Sequence, residues 1–362
     1  MSFIVASISD IHFPVKNIGA QDQYKILYDQ FIEKIRYIPK LDLIVIGGDL
    51  FDHKVLTSSD AALYATMFIG NLVDLCRQKG TSMILLQGTL SHDANQLRLY
   101  YHYMNDTTVD FRIVTQLQFE IVKGLRILCI PELYGIDESI YQKFLFGSGF
   151  YDLAIMHGTF KGAVYGDNAG NSRLFCIDDF LNCRGPILAG HVHKPGCFND
   201  HFYYNGSPYS WCFDDDHDKG FILLAYDKDT CRYYLDWQRI VSYKYYTLTY
   251  EDIVKDPQYT IQFIDNLKKE QHIDFIRVIF TQNINRLYSG LLIDNYRNNN
   301  NVSLIFNNKE DILQKQNDNI GEYQYLTDPK LSDEEKLVIY VNSQKGIDNY
   351  ISVEELQKIL SE

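Results

Sequence analysis

The chain has 362 residues, 46% of them hydrophobic and 22% charged. These are the proportions of a soluble protein that can bury one large core and a smaller second one. No apolar run approaches the ~20 residues of a membrane span, and the N-terminus enters an apolar run without a basic leader, so a cytoplasmic location is expected. A net charge of −13 argues against a protein that grips nucleic acid by charge alone, so weak intrinsic affinity for a polyanion is expected, with bound metal offsetting part of the charge and a partner supplying the rest.

In chain order, residues 3–8 read as a buried strand and 24–37 as a helix, with Ile26, Leu27, Phe31, Ile32 and Ile35 on one face. Strand 43–46 follows, then a helix over 59–78 that Gly80 stops, then strand 83–86. Residues 119–130 are split by Lys123-Gly124 and read as a hairpin, and strands close at 153–155 and 187–189. Residues 221–226 and 232–237 flank a second turn. The texture changes near Ser242: 251–267, 275–280 and 302–306 read as helix, strand, strand, and the residues after Pro329 as charged helices. Three regions are expected: a main α/β domain over 1–240, a small α+β domain over 241–328 and a helical segment over 329–362. The seven cysteines form no Cys-x-x-Cys pair, which suits reduced core thiols better than a disulfide framework.

Five apolar runs of the first domain end in chemistry-bearing residues: Asp10-Ile11-His12, Gly47-Gly48-Asp49, Gly88-Thr89-Leu90-Ser91-His92-Asp93, Met156-His157-Gly158 and Gly190-His191-Val192-His193. Strand ends are where an open α/β sheet builds its site. Asp10 and His12 are two apart, as are His191 and His193, a spacing that turns both side chains of a pair to one side. Oxygen and imidazole donors without thiolate favour Mn²⁺, Fe²⁺ or Zn²⁺, and a carboxylate such as Asp49 can be shared by two ions. His92 is the candidate to protonate a leaving oxygen. Asp93 is read either as the group that orients it or as a further ligand. His53, Lys54, Lys161, Arg173 and Lys194 lie beside these loops and are candidate phosphate contacts.

The ordered set resembles the calcineurin-like metallophosphoesterase superfamily. The segments Gly190-His191-Val192-His193-Lys194-Pro195, Tyr204-Asn205-Gly206-Ser207-Pro208 and Lys219-Gly220-Phe221 are similar to those of its SbcD-type DNA repair nucleases, partners of SMC-like ATPases such as SbcC. The resemblance covers residues 1 to about 240. It implies a four-layer α-β-β-α metallophosphoesterase sandwich, with a small α+β capping domain and C-terminal helices that dock on the ATPase. It further implies a homodimer with manganese-dependent exonuclease and endonuclease activity on DNA ends. Carried over, Asp10, His12 and His193 hold one ion, His157 and His191 the other, Asp49 bridges, and His92 is the catalytic histidine.

The departure lies in the third loop, where the family pattern is Gly-Asn-His-Asp/Glu and Asn binds the second ion. Here Asn is missing and two residues are added. Ser91 is the candidate stand-in, with water or Asp93 as alternatives, and the second ion is expected to be lost first. Two other readings fit the same residues: a metallophosphoesterase for a small phosphodiester or phosphomonoester, and a catalytically weak scaffold subunit.

Overall fold

The structure is a computed structural model. It describes residues 2–306, apart from 16–17, 94, 164–172, 211, 216, 251–255, 282–283, 285 and 300. The helical segment expected over 329–362 and the last part of the region expected over 241–328 therefore lie outside the described residues. The fold is mixed α/β.

Among the described residues, fourteen strands precede residue 240: β1 (Phe3–Ile8), β2 (Leu43–Ile46), β3 (Ser82–Leu86), β4 (Phe111–Val114), β5 (Gln118–Val122), β6 (Leu125–Ile130), β7 (Leu153–His157), β8 (Thr159–Phe160), β9 (Leu174–Phe175), β10 (Ile187–Gly190), β11 (Gly196–Phe198), β12 (Phe202–Tyr204), β13 (Gly220–Asp227) and β14 (Arg232–Arg239). They form two six-stranded sheets, β14-β13-β1-β2-β3-β4 and β11-β12-β10-β7-β6-β5, and the short pair β8-β9. Strands β1 to β4 are parallel to one another, as are β6, β7, β10 and β12. Hairpin partners run antiparallel at the edges, β5 against β6 and β13 against β14.

Near-continuous apolar strands such as Leu43–Ile46 are buried on both faces, as parallel strands with covered faces must be. The period of two sorts their side chains. Val5, Leu43, Val45, Ile84 and Leu86 share a core with Val122, Ile127, Cys129, Leu153, Ile155 and Leu188 of the second sheet. The alternate residues Ile8, Ile44, Ile46 and Leu85 pack instead with Leu27, Phe31, Ile35, Phe68 and Leu72 from helices. On the second sheet, Ile130, Ala154, Met156 and Ala189 pack with Tyr141, Leu145 and Phe180.

The helix Asp60–Lys79 begins at Ser59, whose Oγ accepts the Ala62 N–H at 3.3 Å, and ends at Gly80. The helix expected over 24–37 starts earlier, at Ala20, and runs through a π turn, Tyr28–Ile32, to Arg36.

The described residues divide into two compact units, one of 2–246 with Leu267–Ile276, the other of Thr247–Asn266 with those from Arg277 to Phe306. Beyond β14 lie β15 (Tyr245–Tyr250), β16 (Phe275–Phe280) and β17 (Val302–Phe306), in the order β15-β16-β17, with helices Pro257–Glu270 and Arg286–Tyr296. In the second unit the two helices are tied by Thr260 Oγ1 with the Tyr288 hydroxyl at 2.5 Å, and by the Tyr296 hydroxyl donating to Asp265 at 3.0 Å. The helix Arg286–Tyr296 was not anticipated from its pattern. Its apolar residues fall on more than one face, with Leu292 buried and Leu287 and Leu291 exposed. Among the described residues, no helix is long and apolar enough to cross a membrane.

Candidate metal centre

The loops leaving β1, β2, β3, β7 and β10 bring all seven of Asp10, His12, Asp49, His92, His157, His191 and His193 into one cluster. Within it, four overlapping groups have ligand atoms within 4.8 Å of one another: Asp10-His12-His193, His12-Asp49-His92, Asp10-Asp49-His157 and Glu132-His157-His191. Asp49 is the node. Its Oδ2 lies 2.9 Å from His92 Nδ1, 3.3 Å from His157 Nε2 and 3.6 Å from His12 Nε2. His193 Nε2 is 4.0 Å from Asp10 Oδ1, and His191 Nδ1 is 3.5 Å from Glu132 Oε2.

Local backbone geometry makes this convergence possible. Asp10, His12, Asp49 and His191 all have positive φ, at 55°, 54°, 53° and 91°. Such conformations cost non-glycine residues energy and persist where the surroundings impose them. The surroundings here are specific. Asp10 N–H and His12 N–H donate to the carbonyls of Gly48 and Asp49 at 3.0 and 2.9 Å. Gln23 Nε2 donates to the His12 carbonyl at 3.2 Å and to the Tyr209 hydroxyl at 2.6 Å, and that hydroxyl donates in turn to the Ile11 carbonyl. Tyr209→Phe is therefore expected to cost about 1–2 kcal/mol, since it strands a buried carbonyl. Urea denaturation measures it, and an unchanged midpoint would show the loop is held without this hydroxyl.

Two glycines permit the close approach. A Cβ on Gly48, which has a φ of 96°, would sit 2.3 Å from His157 Nδ1, and one on Gly88 would sit 2.1 Å from Asp49 Oδ1. Gly88→Ala must displace the Asp49 carboxylate. We expect it to weaken Mn²⁺ binding by more than tenfold in a protein that still folds, measured by isothermal calorimetry beside a melting curve.

Electrostatics favour a cation. Burial alone would lower the His157 imidazole, but Asp49, Asp10 and Glu132 outweigh it and push it up to about 10. Burial raises Asp10 to about 6, whereas His157, His92 and His12 hold Asp49 well below the carboxylate range despite its burial. Burial lowers His12, to about 4, and also His191 and His193, which keeps these imidazoles neutral and able to donate a lone pair. His157 Nδ1 donates to the Gly47 carbonyl at 2.8 Å, so Nε2 is the nitrogen turned to the cluster; it is buried, has no hydrogen-bond partner, and offers its lone pair once its proton is displaced. Fixing one ring nitrogen on a carbonyl to present the other is how proteins orient metal-binding histidines. The donor set, the strained ligand backbone and this orphaned nitrogen all fit divalent metal.

Other expected residues have different surroundings. Ser91 is exposed on the short helix Leu90–Asp93, so burial does not hold its hydroxyl beside the cluster. Asp93 neither orients His92 nor joins a ligand group. It is fully buried and accepts the backbone N–H groups of Asp49, Leu50, Phe51 and Gly88 at 2.8–3.2 Å, clamping the second and third loops together. Burial, and then the charge of Asp49, push its carboxyl up to about 7. Arg173 is paired with Glu138 and with Asp179, the latter at 2.6 Å, and lies over the Tyr141 and Phe175 rings, so its guanidinium is committed to packing. His53 is exposed, with Nδ1 3.0 Å from Asp52, and Lys54, Lys161 and Lys194 are exposed. The seven cysteines are free thiols, but only Cys76 and Cys129 are buried; Cys197 is exposed and the other four are part-buried, so the expectation of core thiols fits two of them.

Glu132 is the residue the sequence reading missed. It follows β6 just as the candidate ligands follow their strands, and it is buried. Its Oε2 accepts from Thr89 Oγ1 at 2.8 Å and its Oε1 from the Tyr134 hydroxyl at 2.9 Å. Ending an apolar run was the signal that could have found it.

No family model and no curated protein matches the chain. Among solved structures 27 chains match. One of them, a crystal structure, is 13% identical and aligns over 66% of this chain and all of its own length, with a TM-score of 0.40.

Proposed function

We propose that this protein is a metal-dependent phosphodiesterase that hydrolyses DNA, a nuclease subunit of SbcD type. The observation that carries the reading is that Asp49 belongs to two donor groups, His12-Asp49-His92 and Asp10-Asp49-His157, which overlap the groups Asp10-His12-His193 and Glu132-His157-His191 on either side. The three cores, helix to sheet, sheet to sheet and sheet to helix, support reading the first unit as a four-layer metallophosphoesterase sandwich. Two divalent ions, Mn²⁺ first for this nitrogen and oxygen donor set, would be held there. When bound they supply the Lewis acidity that polarises a phosphoester and activates water.

The residues of the chain do the rest. Gly47 orients His157, Ser9 and the His191 N–H hold the Asp10 carboxylate, and Asp93 sets the separation of the second and third loops. His92 is part-exposed at the edge of the cluster. Burial would lower its imidazole, but the hydrogen bond and charge of Asp49 raise it on balance, so it keeps its proton to higher pH than a free imidazole. That suits a group that protonates the leaving oxygen. Exposed Lys54, Lys161 and Lys194 are the proposed phosphate contacts. An SMC-like ATPase partner and a homodimer belong to the same proposal.

The test is cleavage of end-labelled linear duplex and single-stranded DNA by the purified chain with Mn²⁺, with a chelator control, beside a chromogenic diester. Metal-dependent loss of the DNA label supports the nuclease. Turnover of the diester with intact DNA would replace it with an enzyme for a small phosphoester. Turnover of neither would favour the scaffold reading.

A further inference from the structure

The donor sets are unequal as the sequence presents them. Asp10, His12, His193 and Asp49 give one side two carboxylates and two imidazoles, while His157, His191 and Asp49 leave the other with a single carboxylate. In space the difference disappears. Glu132 Oε2 is 3.5 Å from His191 Nδ1 and 4.0 Å from His157 Nε2. Thr89, which directly follows Gly88, donates its hydroxyl to Glu132 and lies 3.2 Å from Asp49 Oδ2, joining the two carboxylates.

We infer that Glu132 is the fourth donor of the centre built on His157 and His191, filling the place left by the Asn missing from the Gly88–Asp93 loop with a full negative charge. The inference rests on the dinuclear reading of the site.

Three features argue against a merely structural glutamate. Its side chain is 3% exposed, yet among the described residues no lysine or arginine pairs with it, and its ionic neighbours are the imidazoles of His157 and His191 alone. The groups that do touch it, the Thr89 and Tyr134 hydroxyls, orient it and leave lone pairs on both oxygens. Beside it, the wholly buried His157 Nε2 has no hydrogen-bond partner. A cation between Glu132, Asp49, His157 and His191 answers all three. A carboxylate in place of a neutral amide also strengthens attraction for a divalent ion. The second ion is then held as firmly as the first, the reverse of what the missing Asn suggests.

The test is Mn²⁺ binding to the full chain by equilibrium dialysis with metal analysis, together with the spin-coupled signal of a manganese pair in electron paramagnetic resonance. The wild type is expected to hold two ions of comparable affinity. Glu132→Gln should keep one ion at wild-type affinity, bind the other roughly 10–100-fold more weakly and lose the coupled signal, while Glu132→Asp restores part of it. Tyr134→Phe, which leaves every donor in place, should weaken only the second ion. Two ions of wild-type affinity in Glu132→Gln, or the loss of both together from a folded variant, would overturn the assignment. Fewer than two ions in the wild type would instead sink the dinuclear reading, and this inference with it.

Discussion

Asp49→Ala is expected to abolish metal-dependent cleavage, with a loss of 10³-fold or more, about 4 kcal/mol of transition-state stabilisation. The reason is its position. One oxygen, Oδ2, lies within 3.6 Å of three imidazoles that belong to different loops, so its removal takes a donor from both sides of the cluster. The other oxygen accepts the Thr89 N–H at 2.6 Å, which fixes the carboxylate's orientation. Asp49→Asn keeps that acceptor and nearly the same volume but removes the charge, so it separates chemistry from folding. We expect it to melt near the wild type and still fail to cleave. Residual cleavage above a tenth of wild type by either variant would mean Asp49 does not hold the ions together.

Manganese should raise the melting temperature by about 5–10 °C at a hundred times its dissociation constant, where the linkage contribution is roughly 2.7 kcal/mol. The effect should depend on pH in a stated direction. With its carboxylate neighbours, His157 is pushed up to about 10 from 6.5. In the metal-free protein its proton therefore contributes stability that is complete below pH 6.5 and lost as pH rises through 10. An ion must displace that proton to reach Nε2, so affinity tightens as pH rises across this window and binding releases a proton. Calorimetry in buffers of different ionisation enthalpy at pH 7.5 counts it. Binding with no proton release would show that His157 is neutral in the metal-free protein.

The candidate ligands that could be read from the sequence share one property. Asp10, Asp49, His92, His157 and His191 each follow within a few residues of an apolar run long enough to read as a strand, so a local pattern carries both the element and the ligand. Strand β6 ends the same way at Glu132, but Pro131 intervenes and no histidine stands beside it, and residues 119–130 read simply as a hairpin. Arg173 shows the opposite error. Proximity in sequence to a ligand loop suggested a phosphate contact, while its partners Glu138 and Asp179 are set by packing. Asp93 stands in a ligand loop, yet its carboxylate serves four backbone N–H groups from two loops.

What the sequence alone determined is therefore the α/β character, most of the strands of the first unit, and the identity of seven clustered residues. Period and strand-end position are local quantities, readable along one chain. What only the tertiary structure decided is how these residues are shared out: Asp49 at the node, Glu132 beside His157 and His191, and Gln23 joined to Tyr209 across 186 positions to hold the first loop. Those pairings depend on which strand ends meet at one edge of two sheets. Strand order and the facing of sheets follow from how distant apolar faces pack together, and local periodicity carries no record of that.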